Sequence, residues 1–298
     1  MTSQRDIKNR IKSAKNTCQI TSTMEMVATA KMKKIQNRLG QAKAFDLKLT
    51  KIIHSLLSME DIEYSHPLMH EADSESRVLI FEIVGNKGLC GSFNSNIMKN
   101  TIRFMDELFA KEEKESFIYS VGKKGVNHHA FEKQSCYKGI LNPDIAISFD
   151  DAVNFGEELK DLFLKGEFHE IYISYSKVLS QSHQEPEIIK LLPANLIVSD
   201  GDDDSDVKIS SVFSDYHFES KPDKVFAYLL PLFIKMKIYI CFLETLYSEF
   251  FARRIAMKNA TDASNEMVDN LTVMYNHARQ IKITNEISEI IGGTAGLE

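Results

Sequence analysis

Four sets of residues in this 298-residue chain are of types that could do chemistry. Gly85, Gly88 and Gly91 fall in GNKGLCGSFNSN, residues 85–96, after an apolar run and before a helical pattern, where a phosphate-cradling loop would sit. Their spacing fits neither GxGxxG nor GxxxxGK[ST], and Lys87 is misplaced for a phosphate, so the glycines predict a tight structural turn. Asp200, Asp202, Asp203, Asp204 and Asp206 have the look of a calcium loop. Its sixth position is Ser205 where a glycine is needed, and its twelfth is Ser211 where a bidentate glutamate is needed, which leaves a solvated acidic loop. His128 and His129 have no carboxylate or cysteine at ligand spacing on their own helix, and read as exposed helix residues. Cys18, Cys90, Cys136 and Cys241 lie far apart with no CxxC, as in a cytosolic protein with reduced thiols. With no GxSxG, no paired catalytic carboxylates and no Cys/His motif, the chain is expected to be non-catalytic and to hold no metal or cofactor.

The elements around these residues explain why so little chemistry is offered. Stepping by four and three from Tyr239 gives Leu243, Leu246, Phe250, Arg253, Met257, Ala260, Ser264, Met267, Leu271, Met274, Ala278 and Ile281, a coiled-coil seam of about six heptads. Pro222 marks its start, Pro231 is expected to kink the first turns, and the next glycine is Gly292, so the helix would run roughly 100 Å at 1.5 Å per residue. A second seam opens the chain: Ile7, Ile11, Ala14, Cys18, Thr21, Glu25, Ala28, Met32, Ile35, Leu39, Ala42, Asp46, Leu49, Ile53 and Leu56. Two such narrow stripes predict an antiparallel, left-handed two-helix coiled coil formed by the N- and C-terminal helices, in preference to an ordinary bundle, which needs a wider stripe.

Between them the texture alternates. RVLIFEIV at 77–84, SFIYSVG at 116–122 and HEIYISYS at 169–176 read as buried strands, and EPEIIKLLP and DYHFES as further ones. Helical patterns separate them, so the fold class is α/β with long terminal helices and an inserted Rossmann-like α/β domain. The domains are 1–60, 61–221 and 222–298. The apolar window 229–243 is interrupted by Pro231, Lys235 and Lys237 and falls short of the roughly 20 residues of a membrane span. No cleaved signal is evident at the N-terminus.

Charge is uneven. Residues 1–51 carry twelve Lys or Arg against Asp6, Glu25 and Asp46, a local +9 that leaves −15 for the remainder of a chain whose total is −6. A basic helix on an acidic protein suits acidic protein partners or a nucleic-acid arm, but Phe45 is its one aromatic before Tyr64, which disfavours base stacking. A coiled-coil nucleic-acid arm and a structural scaffold are the alternatives to be weighed.

Three stretches carry a family resemblance. NRIKSAKNTCQITSTMEMVATAKMKK at 9–34, GLCGSFNSNI at 88–97 and the run from Ala252 to Ile290 resemble, in order and spacing, the signatures of the gamma subunit of F-type ATP synthases. The resemblance implies the central-stalk rotor subunit of a proton-translocating ATP synthase, a non-catalytic hetero-oligomer member present once per complex. It implies partners: three alpha and three beta subunits around the paired helices, with epsilon and the membrane c-ring on the α/β domain, and no nucleic acid. It also implies a peripheral protein at the cytoplasmic face of the bacterial inner membrane. By the same resemblance Met24, Arg253, Gln280 and Thr284 match positions that contact the stator or couple rotation to catalysis. The chain departs from the family pattern at Asn86, Lys87 and Phe93, in the acidic loop 200–206, and in ending on a charged Glu298.

Overall fold

The computed structural model describes residues 4–57, 66–70, 77–132, 134–141, 148–180, 183–194 and 222–295. The acidic loop 200–206 and the DYHFES run lie outside them. The chain divides into two compact units, one of Met1–Lys31 with Phe251–Glu298 and one of Met32–Phe250. Two helices contribute to both: α1, Gln4–Leu57, and α5, Pro222–Ala295.

The larger unit is built on a five-stranded sheet in the order β3-β2-β1-β4-β5. Its strands are β1 (Arg77–Ile83), β2 (Glu115–Val121), β3 (Cys136–Ile140), β4 (Glu170–Val178) and β5 (Gln184–Leu192), joined through α2 (Phe93–Glu112), α3 (Lys123–Glu132) and α4 (Phe149–Leu164). β1 pairs in parallel with β2 and β4, β2 in parallel with β3, and β5 closes one edge antiparallel to β4. β1 is buried from Val78 onward because both its faces are covered, the environment that favours an unbroken apolar run. Successive side chains alternate between two cores. Val78 and Ile80 pack with Leu108 and Phe104 of α2, while Leu79, Phe81 and Ile83 join a larger core that takes in α4 and the near ends of α1 and α5. Phe81 anchors that core, with ring centroids 5.1 Å from Tyr119, 5.4 Å from Phe155 and 5.9 Å from Phe242. β3 was not expected from the sequence: CYKGI is almost wholly exposed, so it has no apolar pattern to read, and forms because β2 offers it a free edge.

α1 behaves as its periodicity demands. Every buried residue in it is a predicted seam position, from Ile7 through Leu56. Gly40 lies on its exposed side, where an added Cβ would meet nothing. In α5 the helix continues through Pro231. It also contains a stretch long and apolar enough to cross a membrane, contrary to the reading of 229–243 alone. Phe226, Leu230, Ile234, Ile238 and Phe242 of that stretch are buried against the sheet and α1, so its apolarity is that of a core helix.

Candidate functional site

All four predicted contact residues belong to the smaller unit, so its pairing determines what they can do. Cys18 Sγ lies 3.0 Å from Asn265 Oδ1, and the hydroxyls of Thr21 and Thr261 are 2.7 Å apart. The residue numbers of these pairs sum to 283 and 282, the constant sum of an antiparallel pair. The Cys18–Asn265 contact is exposed, but the part-buried Thr21–Thr261 pair sits in the seam, where polar side chains lower stability and favour one register. The seam in α5 departs from the expected phase. Val268 and Tyr275 are half-buried, whereas Met267 and Met274 are 54% and 59% exposed. Both neighbours in each pair are apolar and sit close to the stripe of a 3.6-residue helix, so the sequence pattern does not choose between them. Ile281 is also exposed. With sums near 282, Ala278 lies opposite the first turn of α1, and α5 residues 281–288 are exposed.

Arg253 is a seam residue and only 8% exposed. By the same sums it stands opposite residue 29 or 30 of α1, five or six positions, or about 8 Å, from half-buried Met24. Gln280 lies 27 residues further along α5, about 40 Å at 1.5 Å per residue. It is exposed, and Thr284, one turn on, donates its hydroxyl to the Gln280 carbonyl at 2.9 Å. The four residues thus form two groups, Met24 with Arg253 and Gln280 with Thr284, not one surface. Around them the helices expose both cations, such as Lys8, Lys12 and Lys15, and large apolar side chains: Ile20 at 61%, Met26 at 63% and Val273 at 69%.

In the larger unit the glycine loop is a structural turn, organised by a residue that motif spacing does not reveal. Asn94, at the start of α2, accepts from Gly85 N at 2.8 Å and donates to the Lys87 carbonyl at 3.3 Å, while Lys87 points to solvent. The reading of His129 as exposed is overturned. Its ring is fully buried, with Nε2 2.7 Å from Glu82 Oε2, which also accepts from the Ser120 hydroxyl at 2.9 Å. Gly125 lets α3 approach this cluster, since a Cβ there would lie 2.3 Å from Ser120 Oγ and 2.8 Å from Glu82 Oε2. Burial and the Glu82 carboxylate push the nearby Cys136 thiol up. A glutamate inside the apolar run RVLIFEIV is the signal that could have found the pair, because a buried carboxylate needs a cationic or hydrogen-bonding partner. Glu82, Ser120 and His129 have the side chains of a hydrolytic triad, but none is open to a substrate. Among the described residues no group of three or more His, Cys, Asp or Glu could hold a metal.

Comparison with known proteins places this geometry. The chain is 35% identical over 297 residues to the ATP synthase gamma chain of Leptospira biflexa, covering all of both chains, and 32% identical over 305 residues to that of Rhodopirellula baltica, again covering both completely. A family model described as ATP synthase matches residues 3–297. This chain belongs to the ATP synthase gamma-chain family. Its fold also matches a chain of the Euglena gracilis mitochondrial ATP synthase, with a TM-score of 0.65 and 19% identity over 99% of this chain and 94% of that one. A central-stalk chain of Tetrahymena thermophila mitochondrial ATP synthase matches with a TM-score of 0.57 and 21% identity over 81% and 99%. A long N-terminal helix, a mixed α/β sheet and a long C-terminal helix are the gamma-chain architecture.

Proposed function

We infer that this chain is the central-stalk rotor subunit of a proton-translocating F-type ATP synthase and itself catalyses nothing. The observation that carries the inference is the end-to-end match to gamma chains at 35% identity. The paired helices of residues 1–60 and 222–298 turn inside a ring of three alpha and three beta subunits. The α/β domain, 61–221, takes epsilon and the membrane c-ring, at the cytoplasmic face of a bacterial inner membrane. Large exposed apolar side chains beside cations on both helices are what an enclosing partner with apolar and acidic contacts would cover. An asymmetric rod in a three-fold ring touches each catalytic subunit differently, so its angle biases the nucleotide affinity of each site through differential contacts. Arg253 with Met24, and Gln280 with Thr284, are the contacts proposed to carry that bias.

The test is purification from native membranes through a tag on this chain, followed by quantification of the subunits retained. The expected result is one copy of this chain with three alpha, three beta, epsilon and c subunits. Recovery without ATPase subunits, or with salt-sensitive nucleic acid in their place, would favour the scaffold or nucleic-acid arm and overturn the rotor reading.

A further inference from the structure

In the larger unit, α5 carries a belt of polar residues where a core helix would ordinarily be apolar. Glu244, Thr245, Ser248 and Glu249 are all at most 4% exposed. Burying carboxylates costs free energy that apolar residues of similar volume would not, so stability alone does not explain them. Their contacts point in several directions. Glu244 forms an ion pair with Lys43 of α1 at 2.5 Å. Thr245 Oγ1 accepts from the backbone N–H of Ser176 in β4 at 3.4 Å. Glu249 lies against the loop after β1: a Cβ on Gly85 would come 3.1 Å from its carboxyl carbon and 2.9 Å from Asn94 Oδ1. The belt extends toward the start of α5. Lys235 pairs with Glu157 of α4 at 2.5 Å, Lys237 with Asp46 of α1 at 2.8 Å, and Tyr239 accepts from Arg38 of α1 at 2.9 Å. Gly156 brings α4 close enough that a Cβ there would be 2.8 Å from Lys235 Cγ.

Hydrogen bonds and ion pairs weaken steeply with angle, so they add a torsional restraint to the close packing that already seats a core helix. We propose that residues 235–245 of α5 form a torsional clamp locking this helix to the sheet, α4 and α1, with Glu244 and Thr245 as positioning residues that keep rotation of the α/β domain and rotation of α5 in step. The proposal rests on the rotor reading, since a clamp against twisting has a use only in a chain that carries torque. Directional contacts reach α5 from three elements, α1, α4 and β4, so no single rotation of the helix relieves all of them.

The test uses Glu244→Gln and Thr245→Val, which keep side-chain volume, in the purified membrane complex. The readouts are ATP hydrolysis, ions pumped per ATP, and the angular fluctuation of a probe on the α/β domain with the catalytic ring held fixed. Glu244→Gln removes the anion that faces the Lys43 ammonium, so the contact should weaken and the mean-square angular fluctuation should rise. Pumping per ATP should fall while hydrolysis persists. Thr245→Val should act in the same direction, more weakly. Unchanged fluctuation and pumping in both variants would overturn the clamp, as would failure of both to assemble, which would make these residues determinants of folding. If the unsubstituted chain itself yields no complex that pumps, the rotor reading fails instead, so the two failures are distinct.

Discussion

Arg253 and the pair formed by Glu82 and His129 are charged or polar groups removed from water, and they differ in what removal would reveal. Arg253 lies in a two-helix seam, where its cation is proposed to serve a contact outside the chain as well as the fold. Arg253→Gln keeps a donor and loses the charge. A charge-assisted contact of roughly 1.5–3 kcal/mol would be lost in only some rotational states, so the complex should assemble and hydrolyse ATP but pump fewer ions for each ATP. Because Arg253 and Gln280 are separated by about 40 Å, the effects of Arg253→Gln and Gln280→Ala should add, and a large non-additive term would contradict the two-group arrangement. Glu82 has no outside partner to serve. His129→Leu leaves its carboxylate buried without the imidazole, and should cost about 3–5 kcal/mol in urea unfolding of the full chain, whereas Glu82→Met with His129→Leu should recover most of that loss. Arg253 is legible in the sequence as the one cation in a seam. His129 is not, because its partner is 47 residues away and their meeting depends on the parallel pairing of β1 with β2, which places Ser120 and α3 over Glu82.

At the scale of elements, legibility follows how many independent residues report the same thing. α1 is legible throughout, since twelve of its fifteen seam positions are apolar, with Thr21, Glu25 and Asp46 the polar exceptions, and one glycine is too weak a dissent to break it. β1, β2 and β4 show in the sequence as apolar runs, and β5 as a half-polar run in keeping with its place at an edge. β3 is illegible because an exposed edge strand has no buried face to impose a pattern. The phase of α5 after Ser264 is illegible for the opposite reason, an excess of apolar residues, with Met267 beside Val268 and Met274 beside Tyr275. The register, however, is set by the polar pairs. With the four native thiols replaced, Thr21→Cys with Thr261→Cys should form an intramolecular disulfide on mild oxidation, visible as a mobility shift in non-reducing gels. Shifting one partner by a turn, to residue 265 or 257, should slow crosslinking sharply. Equal crosslinking at all three would mean the helices slide, and that the polar layer does not fix their register.

For the whole molecule, the sequence offers a long self-paired rod and an inserted α/β domain from periodicity alone, but the motor only through the three signature stretches and the relatives that share them. The reason is physical: a rotor performs no chemistry, so its function is written in surfaces whose meaning depends on partners absent from the chain. The buried polar belt on α5 is the exception, a feature inside the molecule that acquires a use once torque is considered. The central claim is that this chain turns within its complex. It is tested most directly by fixing the alpha and beta ring to a surface and following a probe on the exposed Cys136 thiol at the β3 edge, with Cys18, Cys90 and Cys241 replaced, while ATP is supplied. The account predicts continuous rotation in one direction, pausing at thirds of a turn and stopping when ATP is exhausted. A probe that stays at one angle while the same complexes hydrolyse ATP at full rate would contradict it.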